Sequence, residues 1–345
     1  MQHASKFDLS ICIPTYNRIT KLESLVRKIL TCDDGGIEVV VLDNASTDRT
    51  LECLKSISDE RLTVYRNETN KGVLFNVLHA LDRAQGRFAV LLLDKDNVEP
   101  QLLPGFRRFL VSQPELACGY CEYGSALSAE AVLFDAGMAA LKGVAYACHH
   151  PTGYFFEMAT LRVTNYLHRF SDFDVVGHFP LDFVFAELVL RGRGAIYHRP
   201  VFAAESEASA KSYKSIGTNA AREDAFFSPR GRLKTAIGFA RHIATLPLLP
   251  AEKLSMIADC YRKGVVASTI GYRAVMGNEA LCAHYHIAAR RVSAREMFAT
   301  AREFRRTFSA QALSPVALGA VPFRRARFGL AVCLGLLKAF GRRFS

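Results

Sequence analysis

The chain has 345 residues, 50% of them hydrophobic and 22% charged. It can therefore bury a sizeable core, and it suits one main domain with an appended region. The first six residues lack the charged-then-apolar pattern of a secretory leader, and the nine scattered cysteines suit free thiols in a reducing compartment. The single Cys-x-x-Cys pair, Cys118 and Cys121, is too little for a zinc site, so we expect a cytoplasmic protein without structural zinc.

Strand-like and helix-like segments alternate through about the first hundred residues. The predicted strands are Leu9–Ile13, Glu38–Leu42, Arg61–Arg66 and Phe88–Leu93. Helical spacing of apolar residues predicts helices over residues 22–30, 51–57 and 74–81, and Thr20 with Glu23 predicts a capping box at the start of the first helix. Such alternation favours a mostly parallel sheet with both faces covered.

Polar side chains follow three of these strands where each strand ends. They are Thr15 to Arg18, Asp43 with Asn44, and Asp94 to Asp96. Alternate residues of a strand share a face, so Asp94 and Asp96 are expected to project the same way from the last residues of theirs. In parallel sheets ligands bind beyond the carboxyl ends of strands, and paired carboxylates suit a hard divalent cation that also holds substrate phosphates.

Two common nucleotide-binding classes are unlikely for this chain. A dinucleotide-binding dehydrogenase needs Gly-x-Gly-x-x-Gly after the first strand, where this chain has Pro14-Thr15-Tyr16-Asn17. A Gly-x-x-x-x-Gly-Lys-Ser/Thr phosphate loop does not occur either. The strand ends therefore point to another way of holding a nucleotide.

At these residues the chain resembles the inverting nucleotide-sugar glycosyltransferases of family 2, which have the GT-A fold. The matching pieces follow the family order over roughly residues 8–100, and the match beyond residue 200 is negligible. They are Ile11 to Arg18, Val41 to Asp48, Asn70-Lys71-Gly72 with Asn76, and Leu93 to Asn97.

The resemblance implies a donor site and a cation site. Residues expected to contact the donor nucleotide are Pro14, Thr15, Tyr16, Arg18, Asp43, Asn44, Lys71, Asn76, Asp94 and Lys95. Asp94 and Asp96 would hold Mg²⁺ or Mn²⁺ on the diphosphate, which offsets charge on the leaving group. Asn97 stands where the family often has a further aspartate, and Lys95 lowers the negative field between the carboxylates.

Each of these residues also has a structural interpretation. Asp43 and Ser46 could cap the second helix, as such residues usually do. Tyr16 could be a packed loop aromatic, and Lys71 with Gly72 could form a plain turn. Taken singly the structural interpretation is favoured, whereas the ordered set favours the functional one.

An inverting transfer needs a carboxylate that takes the proton from the acceptor hydroxyl. The resemblance assigns this base to Asp182, at a helix start where Leu181 replaces the usual glutamate. Pro180 and an acidic residue also suit the first turn of any helix, so Asp182 could merely stabilise that start. Glu187, or Asp172 with Asp174, are weaker candidates for the base.

The acceptor is expected near Thr152, Gly153 and Tyr154, with Gly153 allowing close approach of a sugar and Tyr154 stacking on it. His149 and His150 are adjacent and should point apart, which argues against a shared metal. His198 follows an apolar strand-like stretch and could supply a third metal ligand, although such a histidine is more often structural.

The net charge of +11 lies almost wholly in the last 65 residues, where twelve Arg or Lys stand against Glu296 and Glu303. Short apolar segments flank these charges, and the run from Phe328 to Leu337 is too short to cross a ~30 Å hydrocarbon layer. Basic clusters beside short apolar helices favour an anionic membrane surface. One alternative is a helical subdomain whose apolar faces pack on the catalytic domain or on another subunit. The least favoured alternative is a nucleic-acid partner, since no nucleic-acid fold pattern is present.

Together these features predict an α/β protein of GT-A type with a C-terminal helical extension. We expect a nucleotide-sugar-binding half over residues 1–100, an acceptor-binding half over 101–220 and a basic helical region over 221–345. The predicted activity is transfer of a sugar, with inversion, from a nucleoside diphosphate sugar to a glycan or lipid-linked glycan in bacterial surface polysaccharide synthesis, at the inner face of the cytoplasmic membrane. The alternatives are a nucleotidyltransferase and a non-catalytic binding protein of the same fold.

Overall fold

The computed structural model describes residues 6–122, 129–170, 177, 179–205, 225–285 and 287–312. These residues form two compact units, the first made of residues up to 173 with 180–205 and the second of the remainder. The boundary predicted at residue 220 falls in 206–224, outside the described residues.

The first hundred residues of the first unit alternate strands and helices as predicted. The elements are β1 (Leu9–Thr15), α1 (Ile19–Leu30), β2 (Ile37–Asp43), α2 (Thr50–Lys55), β3 (Leu62–Arg66), α3 (Val73–Asp82) and β4 (Phe88–Leu91). The four strands are all parallel, in the order β3-β2-β1-β4. Every residue of β1 and β2 is buried, which is the pattern of a sheet covered on both faces.

Two local predictions were wrong. Helix α1 begins at Ile19 and has no side-chain cap, because Glu23 pairs with Arg27 along the helix instead of closing a box with Thr20. Strand β4 ends at Leu91, so Asp94 and Asp96 lie in the turn that follows it. The Asp96 amide closes that turn on the Leu93 carbonyl at 3.0 Å, and strand alternation therefore does not set the direction of these carboxylates.

The second half of the first unit extends the same sheet with mixed strand directions. Its elements are β5 (Asn97–Val98), a 3₁₀ turn (Pro100–Leu102), α4 (Leu103–Ser112), β6 (Leu116–Cys121), β7 (Ala131–Phe134), α5 (Met138–Val144), β8 (Tyr154–Glu157), α6 (Met158–Arg162), α7 (Tyr166–Arg169), α8 (Pro180–Leu188), β9 (Arg193–Tyr197) and β10 (Phe202–Ala203). The full sheet order is β3-β2-β1-β4-β8-β6-β9-β7, with β8 antiparallel to both neighbours and β7 antiparallel to β9. A separate antiparallel pair joins β5 to β10.

The second unit is helical. Its elements are α9 (Pro229–Thr245), α10 (Pro250–Val266), a π turn (Ala267–Gly271), α11 (Tyr272–Met276), α12 (Glu279–His284) and α13 (Ala294–Ala312). Tyr261 of α10 meets Phe304 and Phe308 of α13 at ring-centroid distances of 5.6 and 5.2 Å. The described part of the basic region therefore includes a helix, α13, that packs on α10 of its own unit. In the described part of the chain no helix is long and apolar enough to span a membrane.

Candidate active site

The loops after β1 and β4 meet at Asp94, whose side chain is 3% exposed. Thr15 Oγ1 donates a hydrogen bond to Asp94 Oδ2 at 2.8 Å, and Arg18 Nη1 pairs with Asp94 Oδ1 at 2.6 Å. Thr15 and Arg18, both predicted to contact the donor, thus hold one carboxylate of the Asp-x-Asp motif. A ligand that needs Asp94 must compete with a guanidinium.

Asp96 is held by residues that precede β8 and follow β10. His150 Nε2 lies 2.6 Å from Asp96 Oδ2, the Thr152 hydroxyl also donates to that oxygen, and the Glu205 amide donates to Asp96 Oδ1 at 2.9 Å. The β5–β10 pair brings Glu205 to this position, because Ala203 lies opposite Asn97 in its register. His150 and Glu205 were not assigned to the site from the sequence.

The two carboxylates differ in their acidity. Burial raises the pKa of Asp94, and its pairing with Arg18 and Thr15 offsets this only in part. Burial acts on Asp96 in the same direction, but hydrogen bonds from His150, Thr152 and the Glu205 amide together lower its pKa below the usual range. Asp96 is therefore the more acidic of the two carboxyl groups.

The loop after β2 is fixed by the end of β3. Asp43 is fully buried; its Oδ1 accepts from the Ser46 amide at 3.0 Å and its Oδ2 from Arg66 at 3.0 Å. Helix α2 is not capped by Asp43 or Ser46, because Asp48 Oδ1 accepts from the Thr50 amide at 3.0 Å. The capping interpretation of Asp43 was wrong, and Arg66 is a partner that the sequence did not reveal.

Four asparagines connect the loops after β2 and β3 with α3. Asn44 Nδ2 donates to Asn70 Oδ1 at 2.9 Å, and Asn67 Nδ2 donates to the side-chain oxygens of Asn44 at 2.9 Å and Asn76 at 3.1 Å. Asn76 Nδ2 donates to the Leu42 carbonyl at 3.0 Å. Asn44 and Asn76 are thus buried supports of the donor loops, and Asn67 is a member of this network that sequence reasoning missed.

The other residues predicted for the donor differ in exposure. Tyr16 is 38% exposed and Lys71 is also exposed, so Tyr16 is not the packed loop aromatic of the structural interpretation. Lys95 is half-buried between Asp94 and Asp96, whereas Pro14 is buried as part of β1. Tyr16 and Lys71 are consequently the predicted donor residues most open to a ligand.

The predicted base lies at the start of α8. Asp182 is 1% exposed, in the first turn after Pro180, and its Oδ1 accepts from the Cys148 amide at 3.0 Å. The rival Glu187 is engaged by both terminal nitrogens of Arg169, at 2.6 and 2.5 Å. Asp172 and Asp174 lie outside the described residues.

Residues 148–150 link the predicted base to the predicted cation site. Cys148 holds Asp182 through its amide, and His150 holds Asp96 through its ring. Between them the His149 ring packs on Tyr120 with centroids 4.3 Å apart, whereas the His150 ring contacts Asp96. Asp182 and Asp96 thus face one short segment.

The predicted acceptor contacts of three residues need correction. Thr152 is buried and bonds Asp96, and the Tyr154 ring is 1% exposed and stacked on Phe185 at 4.7 Å, so it cannot stack on a sugar in this arrangement. Gly153 has a φ of +88°, and its amide and carbonyl serve the sheet through Leu91 and Cys121. Its glycine is required by this backbone conformation.

A cavity of about 200 Å³ lies beside this segment instead. It is lined by Tyr120, Cys121, Glu122, His149 and His150. A larger cavity of about 450 Å³ lies near the end of α1 and the 3₁₀ turn, away from every predicted site residue. The smaller cavity is the one that adjoins the site.

The predicted metal trio does not form. In the part of the chain that the structure describes, no three His, Cys, Asp or Glu side chains are arranged to hold a metal ion. His198 is buried, and its Nδ1 lies 2.8 Å from Glu122 Oε2, so it supports Glu122 rather than joining Asp94 and Asp96. None of the eight described cysteines is in a disulfide.

Part of the chain matches a known protein family. The family model "Glycosyl transferase family 2" matches residues 10–126, which hold β1 to β6 and the Asp-x-Asp turn. This part of the chain is a glycosyl transferase family 2 domain.

The family 2 domain has relatives among bacterial proteins. One, from Bacillus subtilis, is named as a teichuronic acid biosynthesis glycosyltransferase (TuaG); it is 30% identical over 124 residues, 35% of this chain and 48% of that protein. Another is the GalNAc(5)-diNAcBac-PP-undecaprenol beta-1,3-glucosyltransferase of Campylobacter jejuni, 32% identical over 93 residues, 26% of this chain and 30% of that protein. The chain thus spans half or less of the length of these relatives.

Solved structures extend the likeness to most of the chain. S. aureus TarS 1-349 in complex with UDP-GlcNAc superimposes with a TM-score of 0.57 at 17% identity, covering 88% of this chain and 91% of that one. The mannosyltransferase PcManGT of Pyrobaculum calidifontis, in complex with GDP-Man and Mn²⁺, gives 0.51 at 17% identity, covering 90% and 85%. The chain has the GT-A fold that the sequence predicted.

Proposed function

We propose that this chain is an inverting glycosyltransferase. It moves one sugar from a nucleoside diphosphate sugar to a glycan or lipid-linked glycan acceptor in bacterial surface polysaccharide synthesis. Residues 1–100 supply the donor side of the site and residues 101–220 the acceptor side. The named activities of the family 2 relatives and the fold of the UDP-GlcNAc complex support this class of reaction.

One observation carries the proposal. The loops after β1 and β4 meet at Asp94, and the segment 148–150 joins Asp96 to the Asp182 carboxylate. One segment of three residues would therefore connect a donor diphosphate at the two aspartates with a carboxylate that can accept a proton. That juxtaposition is what a direct displacement at an anomeric carbon requires.

In the proposed reaction Asp182 is the general base. It takes the proton of the acceptor hydroxyl while that oxygen forms its bond to the anomeric carbon and the nucleoside diphosphate leaves with the bonding electrons. The Cys148 amide orients Asp182 Oδ1. On the donor side we assign the exposed Tyr16 ring to the base of the nucleotide and Lys71 to its phosphates, while Asn44, Asn67 and Asn76 keep the loops in place.

A divalent cation suits the donor side. Asp96 and Asp94 offer hard carboxylate oxygens, and Mg²⁺ or Mn²⁺ commonly takes one or two protein carboxylates together with substrate phosphates. Asp94 is paired with Arg18 and Thr15, and Asp96 with His150, Thr152 and the Glu205 amide, so a cation would replace some of these partners. When bound, the ion would offset charge on the departing diphosphate.

We further propose that α13 rests on an anionic membrane surface. Arg295, Phe298, Arg302 and Arg306 are all exposed and share one helix face at spacings of three and four residues, while Phe304 and Phe308 point into the packed side. Phe298 is 69% exposed, an apolar anchor among the charges. This arrangement suits a helix lying at the lipid interface, near a lipid-linked acceptor.

Calorimetric titration tests the donor site. The protein is titrated with UDP, GDP and TDP, each in the presence of Mn²⁺ and of EDTA. For one of these nucleotides the affinity should fall at least tenfold without the metal. Asp96→Asn should reproduce that loss, and Glu60→Gln, on an exposed loop residue, should leave the affinity unchanged. Equal affinity of all three nucleotides with and without metal would contradict the assignment of the two aspartates.

Replacing the base tests the reaction. Asp182→Asn should lower transfer by about 10²-fold or more, since general-base catalysis contributes typically 10²–10⁴-fold, and should leave donor affinity within about twofold. The measurement is release of nucleoside diphosphate in the presence of acceptor, with pyrophosphate assayed in parallel. Unimpaired turnover of this variant would exclude Asp182, and pyrophosphate as the product would point to a nucleotidyltransferase.

A further inference from the structure

We propose that the cavity lined by Tyr120, Glu122, His149 and His150 binds an uncharged sugar unit of the acceptor, with the Glu122 carboxylate accepting hydrogen bonds from its hydroxyls. This inference rests on the proposed function and deepens it, because it names where the acceptor binds and which chemical class of sugar enters. The acceptor residues predicted from the sequence, Thr152 and Tyr154, are buried and engaged elsewhere.

The position of the cavity fits an acceptor. His149 and His150 form part of its wall, and the neighbouring Cys148 amide holds Asp182 while His150 holds Asp96. The cavity is therefore connected to the proposed donor side through His150, and to the proposed base through Cys148, the residue next to His149. The charge of Asp182 also reaches the wall, where it contributes to raising the pKa of the Tyr120 phenol.

The size of the cavity fits one sugar ring. About 200 Å³ corresponds to roughly seven water molecules at their share of the liquid, ~30 Å³ each. Pockets for drug-sized ligands are larger, about 300–1,000 Å³. We therefore expect a single monosaccharide unit inside and the rest of the acceptor outside.

The charges of the lining favour a neutral sugar. Among the described residues that line the cavity there is no Lys or Arg, and the Glu122 side chain is 45% exposed. The pKa of Tyr120 is raised to about 12 by burial and by the charges of Glu122 and Asp182, so its phenol stays uncharged. A sugar carboxylate or phosphate here would face Glu122 without a matching cation, which is unfavourable in a partly buried site.

Glu122 is held in a defined position. His198, which is buried, places Nδ1 2.8 Å from Glu122 Oε2, and its Nε2 has no hydrogen-bond partner among the described residues. The imidazole thus fixes one carboxylate oxygen of a side chain that lines the cavity. Charge-assisted hydrogen bonds from sugar hydroxyls to such a carboxylate are stronger than neutral ones.

Saturation-transfer NMR with simple glycosides tests the proposal. The probes are methyl glucopyranoside, methyl galactopyranoside and methyl N-acetylglucosaminide, compared with methyl glucuronoside at the same pH. At least one neutral glycoside should bind at least tenfold more tightly than the glucuronoside. Glu122→Gln, which keeps the shape and an acceptor for His198, should weaken that glycoside about tenfold, whereas Glu60→Gln should not change it.

The outcomes separate this inference from the proposed function. Each sample is also titrated with nucleoside diphosphate and Mn²⁺, so loss of nucleotide binding reports failure of the donor assignment independently. The inference is overturned if no neutral glycoside binds, if the glucuronoside binds as tightly, or if Glu122→Gln has no effect while the protein stays folded by circular dichroism.

Discussion

Asp94 and Asp96 are separated by one residue, yet their surroundings act on them in opposite directions. Burial raises the pKa of Asp94, so its ionisation costs stability, and this cost appears as pH rises above the unfolded-state value of about 3.9. Asp94→Asn resembles the protonated carboxyl. It should raise the free energy of unfolding by on the order of 1 kcal/mol at pH 7, measured by urea unfolding in EDTA, with no gain near pH 3.

Asp96→Asn is the matched counterpart. The lowered pKa of Asp96 means that its ionised form stabilises the fold above the unfolded-state pKa, and that this stability disappears as pH falls through the folded-state pKa. The variant should lose on the order of 1 kcal/mol at pH 7, and the loss should shrink toward pH 3. Equal effects of the two substitutions at pH 7 would contradict this account.

The ordered motifs located most of the residues that meet in the candidate site, but not what holds them. Short sequence segments with fixed residue types can be recognised without a structure. They are the reason that the sequence predicted Thr15, Arg18, Asp43, Asp94 and Asp182 as site residues. Partners of the predicted residues come from distant segments and carry no local signature. Arg66 bonds Asp43, Asn67 bonds Asn76, and His150 and the Glu205 amide bond Asp96. Only three-dimensional proximity identifies them.

Among the helices, α10 depends on a glycine where α13 crosses it. A Cβ at Gly264 would lie 2.7 Å from Phe304 and 2.9 Å from Ala236, closer than packed atoms come. Gly264→Ala should therefore destabilise the helical unit by about 1–3 kcal/mol through overpacking, although alanine is the better helix former. Thermal unfolding followed by circular dichroism measures the change.

Gly271 is the matched control for this substitution. It lies at the end of the π turn with helical backbone angles, and a Cβ there would find its nearest neighbour at 3.8 Å. Gly271→Ala should be neutral or stabilise by up to about 1 kcal/mol. Alanine lowers the backbone entropy of the unfolded chain, and the added Cβ meets no close neighbour in the folded one. Similar destabilisation by both variants would show that helix geometry rather than the contact with Phe304 matters.

The sequence predicted where strands occur better than it predicted their order in the sheet. The alternation of β1 to β4 with helices predicts parallel neighbours, and these strands are parallel. Strand β8, in contrast, lies antiparallel between β4 and β6. Its sequence contains no pattern that predicts these neighbours. Because β8 follows Gly153, its placement also decides that Thr152 and Tyr154 point inward, which is why the predicted acceptor contacts were wrong.

The uneven charge of the whole chain has a measurable consequence. The chain should sediment with vesicles containing phosphatidylglycerol and not with pure phosphatidylcholine, and salt should weaken this binding. Reversal of two exposed charges on α13, Arg302→Glu with Arg306→Glu, should weaken it at least tenfold, since each basic residue near the surface contributes about 1 kcal/mol.

A control with the same change in net charge separates location from total charge. Arg49→Glu with Lys55→Glu alters exposed residues at either end of α2, in the other unit. This pair should reduce vesicle binding far less than the pair on α13. Equal losses would mean that total charge governs the association and that the α13 face has no special part in it.

The pairing of His150 with Asp96 connects the proposed donor side of the site with the proposed acceptor cavity. The His150 imidazole bonds Asp96 and also lines the cavity. A ligand that binds Asp96 Oδ2 in place of the imidazole would therefore displace the ring. Under the proposed function, the shape of this cavity then depends on whether the donor is bound. Steady-state kinetics should accordingly follow a compulsory order, with the nucleotide sugar entering first.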